Sequence, residues 1–253
     1  MEFFDWFLIV MSALAVVVFA SLFFVNAGYG KFYTSKWGPS LNNRLGWVLM
    51  ESPVFVAMLL LWWFSDLKTY PARVVMLLVF EVHYFHRSFI FPLMIRGNSR
   101  MPLSIILMGM VFNTLNALMQ GGWIFYVSEP GRYPAEWLLD PRFIAGLLLF
   151  AAGMYVNISS DGIIRSLRRP GDTAHYLPQG GMFRYVTSAN YFGELLEWIG
   201  FAVLTWSWAG AVFVLWTFAN LAPRAARIHE HYRAEFGDKA DWSRLKRMIP
   251  FIY

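Results

Sequence analysis

The feature that most limits how this chain can fold is a series of long apolar runs. The hydrocarbon core of a bilayer is about 30 Å thick, and a helix needs about 17 to 25 mainly apolar residues to cross it. Runs of that kind lie near Trp6 to Asn26, Leu45 to Phe64, Ala72 to Ile95, Leu103 to Val127 and Phe143 to Ile158. A further tract from Tyr191 to Ala219 is too long for one crossing and is broken at TWSWAG, so it divides into two. The expected fold is an all-α integral membrane protein with seven transmembrane helices. With no internal repeat and no linker, residues 1–253 read as one membrane-embedded domain.

Composition agrees, since 58% of the residues are hydrophobic and 15% charged, whereas soluble domains run near half and a quarter. The absence of cysteine excludes disulfides, thiolate metal sites and a cysteine nucleophile. Glu2 and Asp5 stand where a signal peptide would carry positive charge, so the first run is expected to be retained. With seven spans, 16 of the 21 lysines and arginines fall in the loops of one face and in the tail, and 4 on the other. That asymmetry predicts an outside N-terminus and a cytoplasmic C-terminus. The formal charge of +5 is then a matter of topology and lipid contact. No basic stripe with interleaved aromatics lies outside the spans, so nucleic acid is not an expected partner. The chain is expected to be a monomer in a bacterial inner membrane or the endoplasmic reticulum membrane, according to host.

Three polar groupings need explanation. EVHYFHRSFIF, residues 81–91, sits inside the third run. An ionised group at mid-bilayer costs about 2.5 to 3.5 kcal/mol on insertion scales, so such a cluster must face a protein interior or a wet cavity. Tyr84, Arg87 and Phe91 share a face at i, i+3, i+7, and Glu51 on the preceding run can meet Tyr84 at mid-depth. Alternatively, Glu51 simply pairs with Arg87 to join two helices. The second grouping, residues 157–198, carries Asn157, Asp161, Arg165 and Arg168 as a stripe running off the fifth span, with turn-forming RRPGD and LPQGG beyond it. Arginine forks suit phosphate, Asn and Glu suit ribose hydroxyls or a carboxamide, and glycine lets backbone approach a ligand. Together they point to a nucleotide, unless the arginines serve topology alone. The third grouping, the tail from Pro223, alternates basic and acidic residues and reads as a solvated or interfacial helix.

Other patterns fall short of a site. Gly28 and Gly30 lack the third glycine and the preceding strand of a dinucleotide fingerprint. His83 with His86 and His229 with His231 are too few for a histidine-rich di-iron oxygenase. Glu194 and Glu197 at i, i+3 have no Glu-x-x-His partner motif. No metal is expected.

GYGK at 28–31, Glu51, VHYFHRSF at 82–89, RG at 96–97, NISSD at 157–161, LRRPG at 167–171, PQGG at 178–181, ANYFGELLEWIGFA at 189–202 and the final IPFIY occur in order along nearly the whole chain. On these blocks the sequence resembles the steroid 5α-reductase family, the membrane 3-oxo-5α-steroid 4-dehydrogenases. The resemblance implies seven helices, NADPH as hydride donor, and a 3-oxo-Δ4-steroid arriving from the bilayer. It implies a substrate half over about residues 1–127 and a cofactor half over about 141–253. It casts Glu51 and Tyr84 as the catalytic pair, with Tyr84 donating to the steroid C3 oxygen and Glu51 bonding to Tyr84 or acting as a buried acid. It makes Tyr29, Arg87, Arg96, Asn157, Asp161, Arg168, His175, Asn190, Glu194, Arg224 and Tyr232 cofactor-contacting positions. His175 and Phe91 stand where the family commonly has tyrosines, and Asn98 where it has an arginine, which changes individual cofactor contacts. Two other enzyme classes fit parts of the pattern: an isoprenylcysteine-type methyltransferase using S-adenosylmethionine, and a reductase of polyprenol or enoyl lipids.

Overall fold

The computed structural model describes all residues except 1, 26–27, 29, 31–32, 97–98 and 168–175. Its helices are α1 (Phe3–Phe24), α2 (Asn43–Trp63), α3 (Pro71–Phe85), a short α4 (Phe91–Met94), α5 (Leu103–Gly122), α6 (Pro141–Ser166), α7 (Ala189–Thr205) and α8 (Trp208–Phe236). α3 and α4 form one rod through a π-helical turn, His86–Ile90. A second π turn, Trp123–Val127, extends α5. Two short antiparallel strands, β1 (Ser40–Asn42) and β2 (Arg100–Pro102), pair Ser40 with Pro102 and tie together the chain entering α2 and α5.

Helix boundaries follow local chemistry. The Asn42 side chain accepts from Arg44 N at 2.9 Å and starts α2. Asp140 accepts from Arg142 N at 2.8 Å with Pro141 at the first helical position, starting α6. The Arg142 guanidinium also bonds both Asp140 oxygens and holds that carboxyl down at about 2. The charged cap is therefore complete above the usual carboxylate range and is lost only as pH falls toward 2. The break at TWSWAG is a left-handed Trp206 (φ 45°) with Ser207 after it, whose hydroxyl accepts from Gly210 N at 3.0 Å and opens α8.

Five rods are long and apolar enough to cross a membrane: Phe3–Phe24, Asn43–Trp63, Pro71–Met94, Leu103–Val127 and Pro141–Ser166. The sequence predicts seven spans. α7, with 17 residues, stands at the lower limit of the crossing length, and the polar and charged residues of α8 lower its hydropathy. The protein is thus an all-α integral membrane protein. α6 runs to Ser166, well past the expected end at Ile158, and carries Asp161 and Arg165 on its last turns.

Lipid is as apolar as leucine, so helices in a bilayer associate through close packing and polar links more than through a hydrophobic drive. The α6–α7 seam is built that way. Gly146 and Gly153 of α6 face Gly200 and Gly193 of α7, and a Cβ on Gly193 would lie 2.3 Å from the backbone nitrogen of Asn157. Gly193→Ala is therefore expected to destabilise the protein by about 1 to 3 kcal/mol through overpacking. Gly131→Ala, where nothing lies within 4 Å, serves as the neutral control. Thermal unfolding in detergent checks this, and equal midpoints would refute backbone contact at the seam. A polar link also acts in the bundle. The Arg73 side chain, 0% exposed, donates to Ile124 O, to Ser128 Oγ at 2.6 Å and to Glu129 O at 2.6 Å. It thereby fastens the start of α3 to the end of the α5 rod.

Candidate active site

α1 packs on α8 and α8 on α7, while α2 packs on α5 and on the α3–α4 rod. Between these groups lies a cavity of about 2030 Å³. One part is apolar, walled by Met11, Leu14 and Val18 of α1, Leu107, Val111 and Phe112 of α5, and Phe213 and Trp216 of α8. Another part gathers Arg44, Arg96, Arg165, Arg224 and Arg227. Glu51, His83, Tyr84, Arg87, Asp161, Asn190, Glu194 and Tyr232 also line it.

Glu51 and Tyr84 share the cavity but do not bond each other directly. Each is held by an asparagine of α5. Asn116 Nδ2 donates to Tyr84 Oη at 2.8 Å, and Asn113 Nδ2 donates to Glu51 Oε2 at 3.1 Å. The two amides are three residues apart, hence on one helical face. Asn113 also donates to Met50 O at 2.8 Å, in the stretch of α2 where Pro53 has no N–H to give the helix ladder. The Tyr84 ring is 3% exposed and packs on Phe80 (4.7 Å) and Trp198 (5.5 Å). Because Asn116 donates to the phenol oxygen, the phenol hydrogen remains available to another acceptor.

Arg87 sits in the π turn just after Tyr84. A π turn inserts one residue, which rotates the later part of the rod by about 100° relative to an unbroken helix, yet Tyr84, Arg87 and Phe91 all reach the cavity. The guanidinium lies against the rings of both Trp47 (4.7 Å) and Phe91 (4.5 Å), which pack edge-on to each other at 5.1 Å. Its charge is met by Asp161 Oδ2 at 3.4 Å and Glu194 Oε2 at 3.7 Å. Arg87 therefore ties α6 and α7 to the α3–α4 rod, and its ion-pair partners are these two acids rather than Glu51. Asn190 Nδ2 completes the knot by donating to Asp161 Oδ1 at 2.9 Å.

The remaining expected residues fall into three groups. Arg96 donates to Arg165 O at 3.3 Å, and Arg224 Nε to Tyr191 Oη at 2.8 Å, both at the cavity. Asn157 is not on the wall: it is buried behind it and donates to Asn190 O at 2.9 Å, which holds Asn190 in place. Tyr29, Arg168 and His175, with Asn98, lie outside the described residues. The segment before α7 is clamped by the C-terminal stretch, since Thr187 N donates to Lys246 O at 2.9 Å and Ser188 N to Arg247 O at 3.1 Å. Among the described residues, no three His, Asp or Glu side chains gather to hold a metal ion.

Residues 99–253 match the family model described as 3-oxo-5-alpha-steroid 4-dehydrogenase. The chain is 38% identical over 254 residues to "Steroid 5-alpha-reductase DET2" of Gossypium hirsutum, covering 99% of this chain and 97% of the relative. It is 38% identical to "3-oxo-5-alpha-steroid 4-dehydrogenase 1" of Homo sapiens, over 95% of this chain and 92% of the relative. It is 42% identical to "3-oxo-5-alpha-steroid 4-dehydrogenase 2" of Sus scrofa, over 96% and 94%. The chain belongs to the 3-oxo-5-alpha-steroid 4-dehydrogenase family. It is thereby an oxidoreductase, and the resemblance read from its sequence blocks is correct.

Three residues of this family member that touch the expected site were missed in its sequence. Asn113 and Asn116, polar residues at i, i+3 inside an apolar span, carried a signal that could have found them. Glu197 was read only for its spacing to Glu194. It is 0% exposed and its Oε2 lies 2.6 Å from His83 Nδ1, directly behind the cavity wall. No local pattern could pair residues 114 positions apart.

Proposed function

We propose that this protein is an NADPH-dependent 5α-reductase of 3-oxo-Δ4-steroids. The observation that carries the reading is one cavity that joins an arginine-lined part to an apolar part, with Tyr84 and Glu51 in its wall. The donor set fits the cofactor. Arg96, Arg165, Arg224 and Arg227 suit its phosphates. Asp161 and Asn190 suit ribose hydroxyls. Glu194 Oε2, buried with no hydrogen-bond donor among the described residues, suits a carboxamide or hydroxyl. Tyr29, Arg168 and His175 are assigned to the same task through family membership alone.

Bound NADPH would supply a hydride to C5 of the enone. Tyr84 then acts on the charge this creates. Reduction at C5 drives negative charge onto the C3 oxygen, and the phenol donates a hydrogen bond to that atom. Asn116 orients the phenol by donating to its oxygen, and Asn113 holds Glu51 beside it. Glu51 in its acid form is a second donor to the same oxygen. A proton taken up at C4 from solvent or an acid completes the saturated ketone, so that one hydride and one proton are added overall. The apolar part has an outlet toward lipid, since Leu14 of α1 and Leu107, Met108 and Val111 of α5 line the cavity and are also exposed. This supports a steroid arriving from the bilayer.

With α7 and α8 counted as the sixth and seventh spans, the chain crosses seven times with Tyr253 cytoplasmic, a topology supported by the 16 to 4 distribution of basic residues. A reporter fused after Tyr253 is expected to be active only on the cytoplasmic side, and activity only outside would overturn the orientation. Purified protein given NADPH and progesterone or testosterone is expected to yield the 5α-reduced 3-oxosteroid. NADPH should raise the unfolding temperature, and S-adenosylmethionine should not. Protection by S-adenosylmethionine with no steroid reduction would replace this reading with a methyltransferase.

A further inference from the structure

Along α8, Phe213, Trp216, Thr217 and Asn220 face the cavity at helical spacing. Beside them α5 contributes mainly hydrocarbon, through Met108, Val111 and Phe112, the last packed on Phe213 and Trp216. Two polar groups on the α8 side stand out. Trp216 is 7% exposed, and its indole N–H finds no acceptor among the described residues. Asn220 donates its amide to Trp216 O at 3.0 Å, and its Oδ1 accepts from none of the described residues. A wall meant only for a hydrocarbon tail has no use for a buried N–H like that of Trp216, because a polar group kept from water without a partner is unfavourable; half-buried Asn220 sets an amide oxygen one turn further along the same wall.

Their position relative to Tyr84 gives them a task. Trp198 packs on Tyr84 at 5.5 Å, Phe213 on Trp198 at 4.6 Å, Phe112 on Phe213 at 6.2 Å, and Trp216 on Phe112 at 4.8 Å. Trp216 is thus separated from the phenol by three intervening aromatic rings. A rigid fused-ring substrate with its 3-oxo group at Tyr84 can lie along this wall with its far end at Trp216 and Asn220.

We propose that Trp216 and Asn220 recognise an oxygen at the end of the steroid remote from the reacting ring. The Trp216 N–H donates to a carbonyl at C17 or C20, and Asn220 Oδ1 accepts from a hydroxyl at C17. This rests on the steroid reductase reading and narrows it: the preferred substrates are 3-oxo-Δ4-steroids with a distal oxygen, and those ending in bare hydrocarbon are poorer. The hydrogen bond forms equally in ground and transition states, so its loss is felt in KM.

The test compares kcat/KM for progesterone, testosterone and androst-4-en-3-one, which has no distal oxygen. Wild type, Trp216→Phe and Asn220→Leu are assayed, with heat protection by NADPH confirming that each is folded. Wild type is expected to favour the oxygenated steroids by about 3- to 10-fold, the range for one neutral hydrogen bond. Trp216→Phe brings the progesterone ratio to about 1, mainly by raising KM for progesterone. Asn220→Leu does the same for testosterone and carries the test if Trp216→Phe does not fold. Equal wild-type use of all three steroids, or ratios unmoved in the folded variants, overturns the proposal. Failure of wild type to reduce any of them overturns the reductase reading itself.

Discussion

Tyr84→Phe is expected to slow single-turnover reduction of a 3-oxo-Δ4-steroid by about 100- to 1,000-fold, the usual loss when one oxyanion donor is removed. The substitution keeps the ring and its contacts with Phe80 and Trp198, so folding and NADPH binding should survive. What disappears is the O–H that Asn116 leaves free by donating to the phenol oxygen. Glu51→Gln should also depress turnover. The double variant should be no worse than about the poorer single one, because groups that act as a unit are not additive. A tyrosine that served packing alone would give the opposite outcome, with lower stability and an unchanged rate. Reduction at the wild-type rate by folded, NADPH-bound Tyr84→Phe would sink the mechanism.

Arg87→Met is expected to lose about 3 to 5 kcal/mol of stability, the penalty for removing one partner from a buried ion pair. Methionine retains apolar contact with Trp47 and Phe91 but leaves Asp161 and Glu194 facing each other uncompensated. Asp161 still has Asn190 as a donor, whereas Glu194 Oε2 has none among the described residues. A second change, Glu194→Gln, should therefore recover part of the loss in the Arg87→Met background. Thermal unfolding in detergent of the four proteins of this cycle measures the coupling. If the single and double variants differ from wild type additively, the charge knot does not exist as described.

The positions of Glu51, Tyr84 and Arg87 were legible because each is a polar residue in an apolar run, an anomaly visible in one dimension. Their partners were not. Glu51 could have met Tyr84 or Arg87 by any count of spacing. In the fold two asparagines stand beside Glu51 and Tyr84, and Arg87 turns to α6 and α7. Asn157 and Asp161 share a stripe at i, i+4, yet Asp161 lines the cavity while Asn157 bonds the Asn190 backbone behind it. That division depends on how closely α6 and α7 approach, which Gly153 and Gly193 permit.

The sequence by itself determined that the chain lies in lipid, roughly where most of its apolar helices begin and end, and which polar residues needed a protein interior. A bilayer makes this possible, since its thickness and its cost for charge apply to each run separately, whatever the other runs do. Only the tertiary structure decided that Arg87 closes a knot with Asp161 and Glu194, that His83 pairs with Glu197, and that Trp216 faces the cavity with its N–H unmet among the described residues. Those outcomes depend on the rotation and depth of whole helices. Backbone clearance at glycines and the extra residue of a π turn set both, and neither is a sum over neighbouring residues in the chain.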